Sequence, residues 1–216
     1  MQHLVRWFLF FLMVFLAGCA SNIKLDPTTK PRLDAGVAIN PIVAIADQPY
    51  FFGRAQTWGI ALGALGGPVG GAIGGGVGAT AARNEPEKIK QYLAAKGIDV
   101  SSIVLEEFTR QIKNRPDFAD RIRDDGRFQM QLEILMYGIS VPSGFSSDYK
   151  PVLSLRASLM DPDGGIIWQS YDWISPKNSK TNGHPYDRYF DNPETFKTVF
   201  KSAAEIVVSL VLEKLE

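Results

Sequence analysis

Catalysis by proton transfer or nucleophilic attack calls for an imidazole, a thiol, an activated hydroxyl or a matched pair of carboxylates. In 216 residues this chain offers two histidines, His3 and His184, and one cysteine, Cys19. A single thiol excludes a structural zinc cluster of several cysteines and any intramolecular disulfide. His184 stands by itself in the polar stretch Asn178 to Asn192, so a histidine-based triad or a His-rich metal site lacks its other members. The adjacent carboxylates Glu106-Glu107 and Asp124-Asp125 fall on helix surfaces or loop ends, where solvation is the ordinary reading. Asp161-Pro162-Asp163-Gly164-Gly165 is a turn, far shorter than a calcium loop. No Gly-Lys-Ser/Thr follows the clustered glycines. Gly76, Gly78 and Ala81 fit a dinucleotide fingerprint with Asp99 further on, but no strand is predicted before Gly76 and Asp99 reads as a helix cap. The expectation is a protein that is not an enzyme and uses neither metal nor cofactor.

What the polar stretch does offer is contact chemistry. His184, Tyr186, Arg188, Tyr189 and Phe190 lie together with Asp187 and Asp191, and aromatic residues beside arginine are the composition of binding hot spots. This is the candidate partner-binding loop; the alternative is that its aromatics fold back onto the domain. A shorter loop, Ser143 to Tyr149, carries Phe145 and Tyr149 and could join it. With 23 basic and 23 acidic residues the chain has no field of one sign, which disfavours nucleic acid as a partner.

Half of the 20 glycines fall between Gly59 and Gly78, inside an uncharged stretch from Ala55 to Ala82. Gly59, Gly63, Gly67, Gly71 and Gly75 recur every four residues, and Gly66, Gly70, Gly74 and Gly78 form a second such series. On a helix each series makes a smooth groove for close backbone approach. The residues between are Ile, Leu, Val and Ala rather than the serines of a flexible linker, although an ordered or disordered loop is the competing reading. In water ten helical glycines would cost on the order of 10 kcal/mol relative to alanine, whereas in lipid a helix is the available way to satisfy the backbone. Pro68 divides the block, and each half is roughly 20 Å long as a helix against a hydrocarbon core of about 30 Å. A re-entrant helical hairpin over 55–82, packed in the membrane or against copies of itself, fits these lengths. The segment resembles the glycine zippers of bacterial envelope proteins.

The N-terminus has Arg6, an unbroken apolar run from Trp7 to Leu16, and the small pair Ala17-Gly18, the layout of a cleaved signal peptide over residues 1–18. Leu16-Ala17-Gly18-Cys19 resembles the lipobox of bacterial lipoproteins. That resemblance implies diacylglyceryl transfer to the Cys19 sulfur, cleavage before it and acylation of the new amine, which together anchor a protein durably. His3 would leave with the signal. Ala20 and Ser21 differ from the Asp that follows the cysteine in many inner-membrane lipoproteins, so the resemblance implies the outer membrane with the domain facing the periplasm. Residues 19–33, with Pro27 and Pro31 and no apolar periodicity, read as a lipidated tether.

Residues 34–216 read as one α+β domain. Val37, Ile39, Ile42, Val43 and Ile45 suggest a strand, or two short ones, broken at Asn40-Pro41. Asn84 looks like a helix cap with Glu87 completing a capping box, and Asp99 caps a second helix faced by Val100, Ile103, Val104, Phe108 and Ile112. Period-two patterns predict strands over Phe128 to Met136, Leu153 to Leu159 and Ile166 to Ile174. Asn192-Pro193 opens a last helix with a wide apolar face. The expected architecture is a small antiparallel or mixed sheet covered by helices mainly on one face, interrupted by the Gly-rich hairpin. In element order it loosely resembles the periplasmic domains of curli-secretion and penicillin-binding-protein-activator lipoproteins. The functional expectation is a membrane-anchored envelope protein with a protein partner and possible self-association. An oligomeric pore or secretion component lined by the Gly-rich segment is the alternative, and an envelope hydrolase a second one. Replacing Gly63, Gly67 and Gly71 with leucine should abolish crosslinked oligomers of the membrane-extracted protein while leaving the circular dichroism of the domain unchanged; undiminished crosslinking would remove the zipper reading.

Overall fold

Proline has no amide to give to a strand ladder, and two prolines cut the first apolar run into pieces. The computed structural model describes residues 22–54 and 84–215. In it the run forms three short strands, β1 (Val37–Ile39), β2 (Ala44–Ile45) and β3 (Tyr50–Phe52), interrupted at Asn40-Pro41 and again before Pro49. All three pair in parallel with one edge of a long strand, β4 (Phe128–Ser140), with Val37 opposite Phe128, Ala44 opposite Glu133 and Tyr50 opposite Gly138. Ile42, expected within the strand, sits in the first interruption and is 77% exposed. Its amide donates to the Asn40 side chain at 2.9 Å instead of to a neighbouring strand.

Beyond β4 the sheet is an antiparallel meander. β5 (Asp148–Met160) pairs with β4, and β6 (Ile166–Ile174) pairs with β5. The turn between β5 and β6 is organised by Asp161, whose Oδ1 accepts the amides of Asp163 at 3.0 Å and Gly165 at 2.7 Å. That is the Asx-turn chemistry its sequence predicts. With a two-residue strand described below, the mixed sheet has seven strands and is not closed.

Helices cover the face carrying Met130, Leu132 and Ile134 with Leu153, Leu155, Ala157, Leu159 and Trp168, all buried. The other face is polar, with Gln129 and Gln131 exposed and Glu133 paired to Arg156 at 3.1 Å. Helix α1 (Glu85–Ala95) starts with a proline in its first turn, but Asn84 has helical backbone angles and makes no side-chain cap bond. The expected capping box is therefore absent: Glu87 accepts instead from Gln91, one turn on, at 2.9 Å. Helix α2 (Val100–Lys113) does have its cap, Asp99 accepting the Ser101 amide at 2.9 Å, and it buries Val100, Val104, Phe108 and Ile112. The C-terminal helix (Pro193–Leu212), capped by Asn192, buries Phe196, Val199, Phe200, Ala203 and Val207; it lies on β5 and β6, and α2 packs on it. Trp168 is fully buried between these layers, its indole N–H donating to the Lys214 carbonyl at 2.9 Å.

The segment expected as a tether is folded from Asn22 onward. Ile23 exchanges backbone hydrogen bonds with Gln169 of β6 at 2.8 and 3.0 Å, and the Asn22 side chain accepts the Tyr171 amide at 3.0 Å. Asp26 caps a 3-10 helix (Pro27–Ala35) in which the prolines that suggested a linker sit comfortably, and Leu25 and Leu33 are buried in the core. Two leucines without periodicity are enough to dock a short strap. Cys19, expected to be lipidated, and the glycine-rich block lie outside the described residues. No helix among the described residues is long and apolar enough to cross a membrane.

β3 approaches β4 so closely that a Cβ on Gly138, whose φ is +151, would stand 1.9 Å from the Tyr50 carbonyl oxygen. Glycine is required there by both space and backbone angle. Gly138→Ala should destabilise the domain by about 1–3 kcal/mol through forced separation of β3, read as a lowered midpoint in urea unfolding.

Candidate functional site

The stretch 178–192 is not an open loop. His184 and Pro185 form β7 (His184–Pro185), pairing with Tyr149 and Asp148 at the start of β5, and a short helix, α3 (Tyr186–Asp191), follows. That helix leads directly into the C-terminal helix, α4, through the Asn192 cap. The amphipathic spacing of α3 sends Tyr189 inward, where it is fully buried and its hydroxyl donates to the Tyr149 carbonyl at 2.6 Å. Tyr189 is thus an internal strut, unavailable to a partner. Tyr186 and Phe190 are half-buried, His184 is half-buried with its ring 6.0 Å from that of Tyr189, and Arg188 is exposed.

Tyr186 and Phe190 join aromatics from four other elements. Phe51 of β3 stacks on Tyr149 at 5.6 Å with a 15° interplanar angle and meets Tyr186 edge-on at 5.9 Å. Tyr92 of α1 packs edge-on against Phe190 at 5.0 Å, and its hydroxyl donates to the Phe190 carbonyl at 2.9 Å. Phe196 of α4 closes the cluster from below, 4.9 Å from Tyr189 and 5.8 Å from Phe190. Such offset and edge contacts suit the ring quadrupoles, at about 0.5–1.5 kcal/mol each beyond area burial.

One cation and one anion from α1 are set into this cluster. Lys88 Nζ lies 4.3 Å from the Phe190 ring centroid and 4.8 Å from that of Tyr186, and donates to the Tyr186 hydroxyl at 3.0 Å. The Tyr186 hydroxyl in turn donates to a carboxylate oxygen of Glu85. Burial first, and then the Glu85 carboxylate that accepts its proton, push the Tyr186 hydroxyl far above its ordinary range. Burial likewise raises Tyr189 and Tyr149. The tyrosines therefore remain neutral at physiological pH. The arrangement is an aromatic cluster with a lysine ammonium over two of its rings and a carboxylate on one of its hydroxyls. Among the described residues no group of three His, Cys, Asp or Glu side chains is placed to hold a metal ion.

The candidate loop was legible as a composition, but Phe51, Glu85, Lys88 and Tyr92 were not, because they stand roughly 100 residues or more away in sequence from Tyr186 and Phe190, with no local pattern linking them. Tyr149, placed by sequence in a loop, is a buried residue of β5; Phe145 remains exposed beyond the end of β4. The cluster also sits where the chain departs into and returns from the glycine-rich block, since β3 ends at Phe52 and α1 begins at Glu85.

A concavity of about 390 Å³ opens between β2 and the start of α2, bounded by Ile45, Lys90, Leu93, Gly97, Asp99 and Tyr137. Its two charged groups are already engaged. Asp99 occupies the N-terminus of α2, and Lys90 is paired with Asp47 at 2.8 Å.

Alkaline titration should report on the aromatic cluster. An unfolded tyrosine ionises near its ordinary value of 10.0, while folded Tyr186 holds its proton to higher pH. The stabilisation is complete below that ordinary value and is lost as pH rises toward the folded one, because the unfolded state then binds fewer protons. Tyr186→Phe should therefore flatten the decline of stability above pH about 10, measured as urea midpoints on either side of the tyrosine range.

No protein-family model matches the chain, and no curated protein sequence does. Among solved structures it is similar to a Xanthomonas campestris protein assigned to the DUF330 family, with a TM-score of 0.36 and 10% identity over 52% of this chain; the chain spans 58% of that protein's length. It is also similar to the Neisseria meningitidis lipoprotein GNA1162, with a TM-score of 0.27 and 14% identity over 83% of this chain and 96% of that one. At these scores neither likeness assigns an activity, a partner or a location to this chain.

Proposed function

We propose that this protein is a non-enzymatic lipoprotein of the bacterial outer membrane, held by acylated Cys19, whose periplasmic α+β domain binds a protein partner. The observation that carries the reading is Leu16-Ala17-Gly18-Cys19 placed directly after an apolar run of signal-peptide length. The glycine series adds a second membrane-associated or self-associating element. The aromatic cluster supports recognition over catalysis: the half-buried Tyr186 and Phe190 rings, with Lys88 above them and Arg188 exposed alongside, have the composition of an interface anchor.

The glycine-rich segment also supports a second reading, an oligomeric pore or secretion component, because two four-residue glycine series can seal helix against helix around an axis. Steady conductance across planar bilayers by the purified acylated protein would favour the pore, and silence would leave the partner-binding lipoprotein. The hydrolase alternative depends on His184, the only imidazole after the signal peptide. The anchor itself has a direct test. Protein extracted from membranes should carry a diacylglyceryl group on Cys19 by mass spectrometry, and Cys19→Ala should lack it and retain the signal sequence. An unmodified Cys19 in the membrane fraction would sink the proposal.

A further inference from the structure

The strap that replaces the expected tether fixes where a lipid on Cys19 would have to be. Ile23 pairs with Gln169 and Asn22 holds the Tyr171 amide, so the chain, followed backward from Ile23 to Asn22, runs along the free edge of β6 toward Trp173. Cys19 lies three positions before Asn22, which at full extension spans only about 10 Å. An acyl group on Cys19 would therefore be tethered by no more than about 10 Å of chain to Asn22, which sits beside Tyr171 of β6.

The residues of that edge suit a bilayer surface. Trp173 is 47% exposed on the face away from the helices, opposite Ser154 of β5. Tyr171 is half-buried beside it and Lys24 is exposed on the strap. Asp172, the one acid on this half of β6, is neutralised by Lys214 at 2.9 Å. Tryptophan and tyrosine with flanking lysine are the side chains that settle at the headgroup level, where an apolar ring meets a polar rim.

The same length excludes the other obvious posture, with the domain standing on the end of the sheet that carries the β4–β5 loop. Tyr171 is opposite Arg156, and from Arg156 the ladder continues to Asp148 for roughly 26 Å at 3.3 Å per residue. A leash of about 10 Å cannot let that end rest on the membrane while β6 stays clear of it.

We infer that the acylated protein lies with the β6 edge against the phospholipid bilayer and that Trp173 seats in its headgroup region. The inference rests on the proposed acylation of Cys19 and on the self-associating form of the glycine-rich block, since the chain enters that block after Phe52, opposite Ser140 at the sheet end held off the bilayer, and it adds an orientation to the anchor. Once Cys19 is a thioether the chain has no other thiol, so Trp173→Cys gives a unique site for an environment-sensitive NBD label, with Asp163→Cys in the β5–β6 turn as the comparison. Full-length acylated protein is reconstituted into vesicles of phosphatidylethanolamine and phosphatidylglycerol. The label at 173 should shift its emission to the blue and lose most of it to doxyl-labelled phospholipid, and the label at 163 should do neither. A label at 173 that stays as water-accessible as the one at 163, on protein shown by mass to be acylated, overturns the orientation and leaves the anchor intact. Equal quenching at both positions overturns it as well, whereas absence of the acyl mass overturns anchor and orientation together. As a measurement that keeps the native side chain, brominated phospholipid should quench the tryptophan emission of the wild type more than that of Trp173→Phe; equal quenching counts against the seat.

Discussion

A strand paired on both edges must place every backbone amide and carbonyl correctly, because an unpaired one in the interior costs as much as a lost hydrogen bond. β4 is in that position, and the domain is arranged around meeting its demand. On one side β5 supplies an antiparallel ladder from Gln129 to Ser140, with one irregularity between Ile134 and Met136. On the other side no single strand does so. Three short parallel pieces share the edge, with prolines at the breaks, and the register slips at each interruption between Val37 and Phe52. Gly138 permits the last of these pieces to come close, which brings Phe51 over Tyr149. The aromatic cluster is thus a consequence of how the edge of β4 is filled.

How much of this could be read from the sequence depended on range. The patterns over Phe128 to Met136 and Ile166 to Ile174, the Asp99 and Asn192 caps and the Asp161 turn are set by neighbours within a few residues, and they appear where the sequence placed them. Asn84 has the same local signature as Asp99 but no cap bond, since its backbone is already helical. The third edge strand, Tyr50–Phe52, carries no alternation long enough to declare itself, and only pairing with Gly138 to Ser140 defines it. For the candidate surface, composition located Tyr186, Arg188 and Phe190. It could not show that Tyr189 faces inward, nor that Lys88 and Glu85 arrive from another helix, since those facts belong to tertiary packing.

The electrostatics of that surface follow from the same packing. Lys88 and Glu85 are one turn apart on α1, 4.0 Å from each other, and would count for little as an exposed pair. Placed against two half-buried rings, they acquire directed partners. The lysine gains the faces of Phe190 and Tyr186, and the glutamate gains a hydroxyl proton held by burial. A weak surface pair becomes an oriented polar patch, and the chain segment that enters and leaves the glycine-rich block does so beside it.

The strap from Asn22 to Gly36 has one more implication. It begins on the outer edge of β6, at Gln169, and ends where Val37 joins the opposite side of the sheet beside β4, with Leu25 and Leu33 held in the core on the way. The sheet is open by its hydrogen bonds, yet these residues join its two margins covalently. They act as a belt: with Leu25 and Leu33 seated in the core, splaying either margin would draw on the other through this one segment.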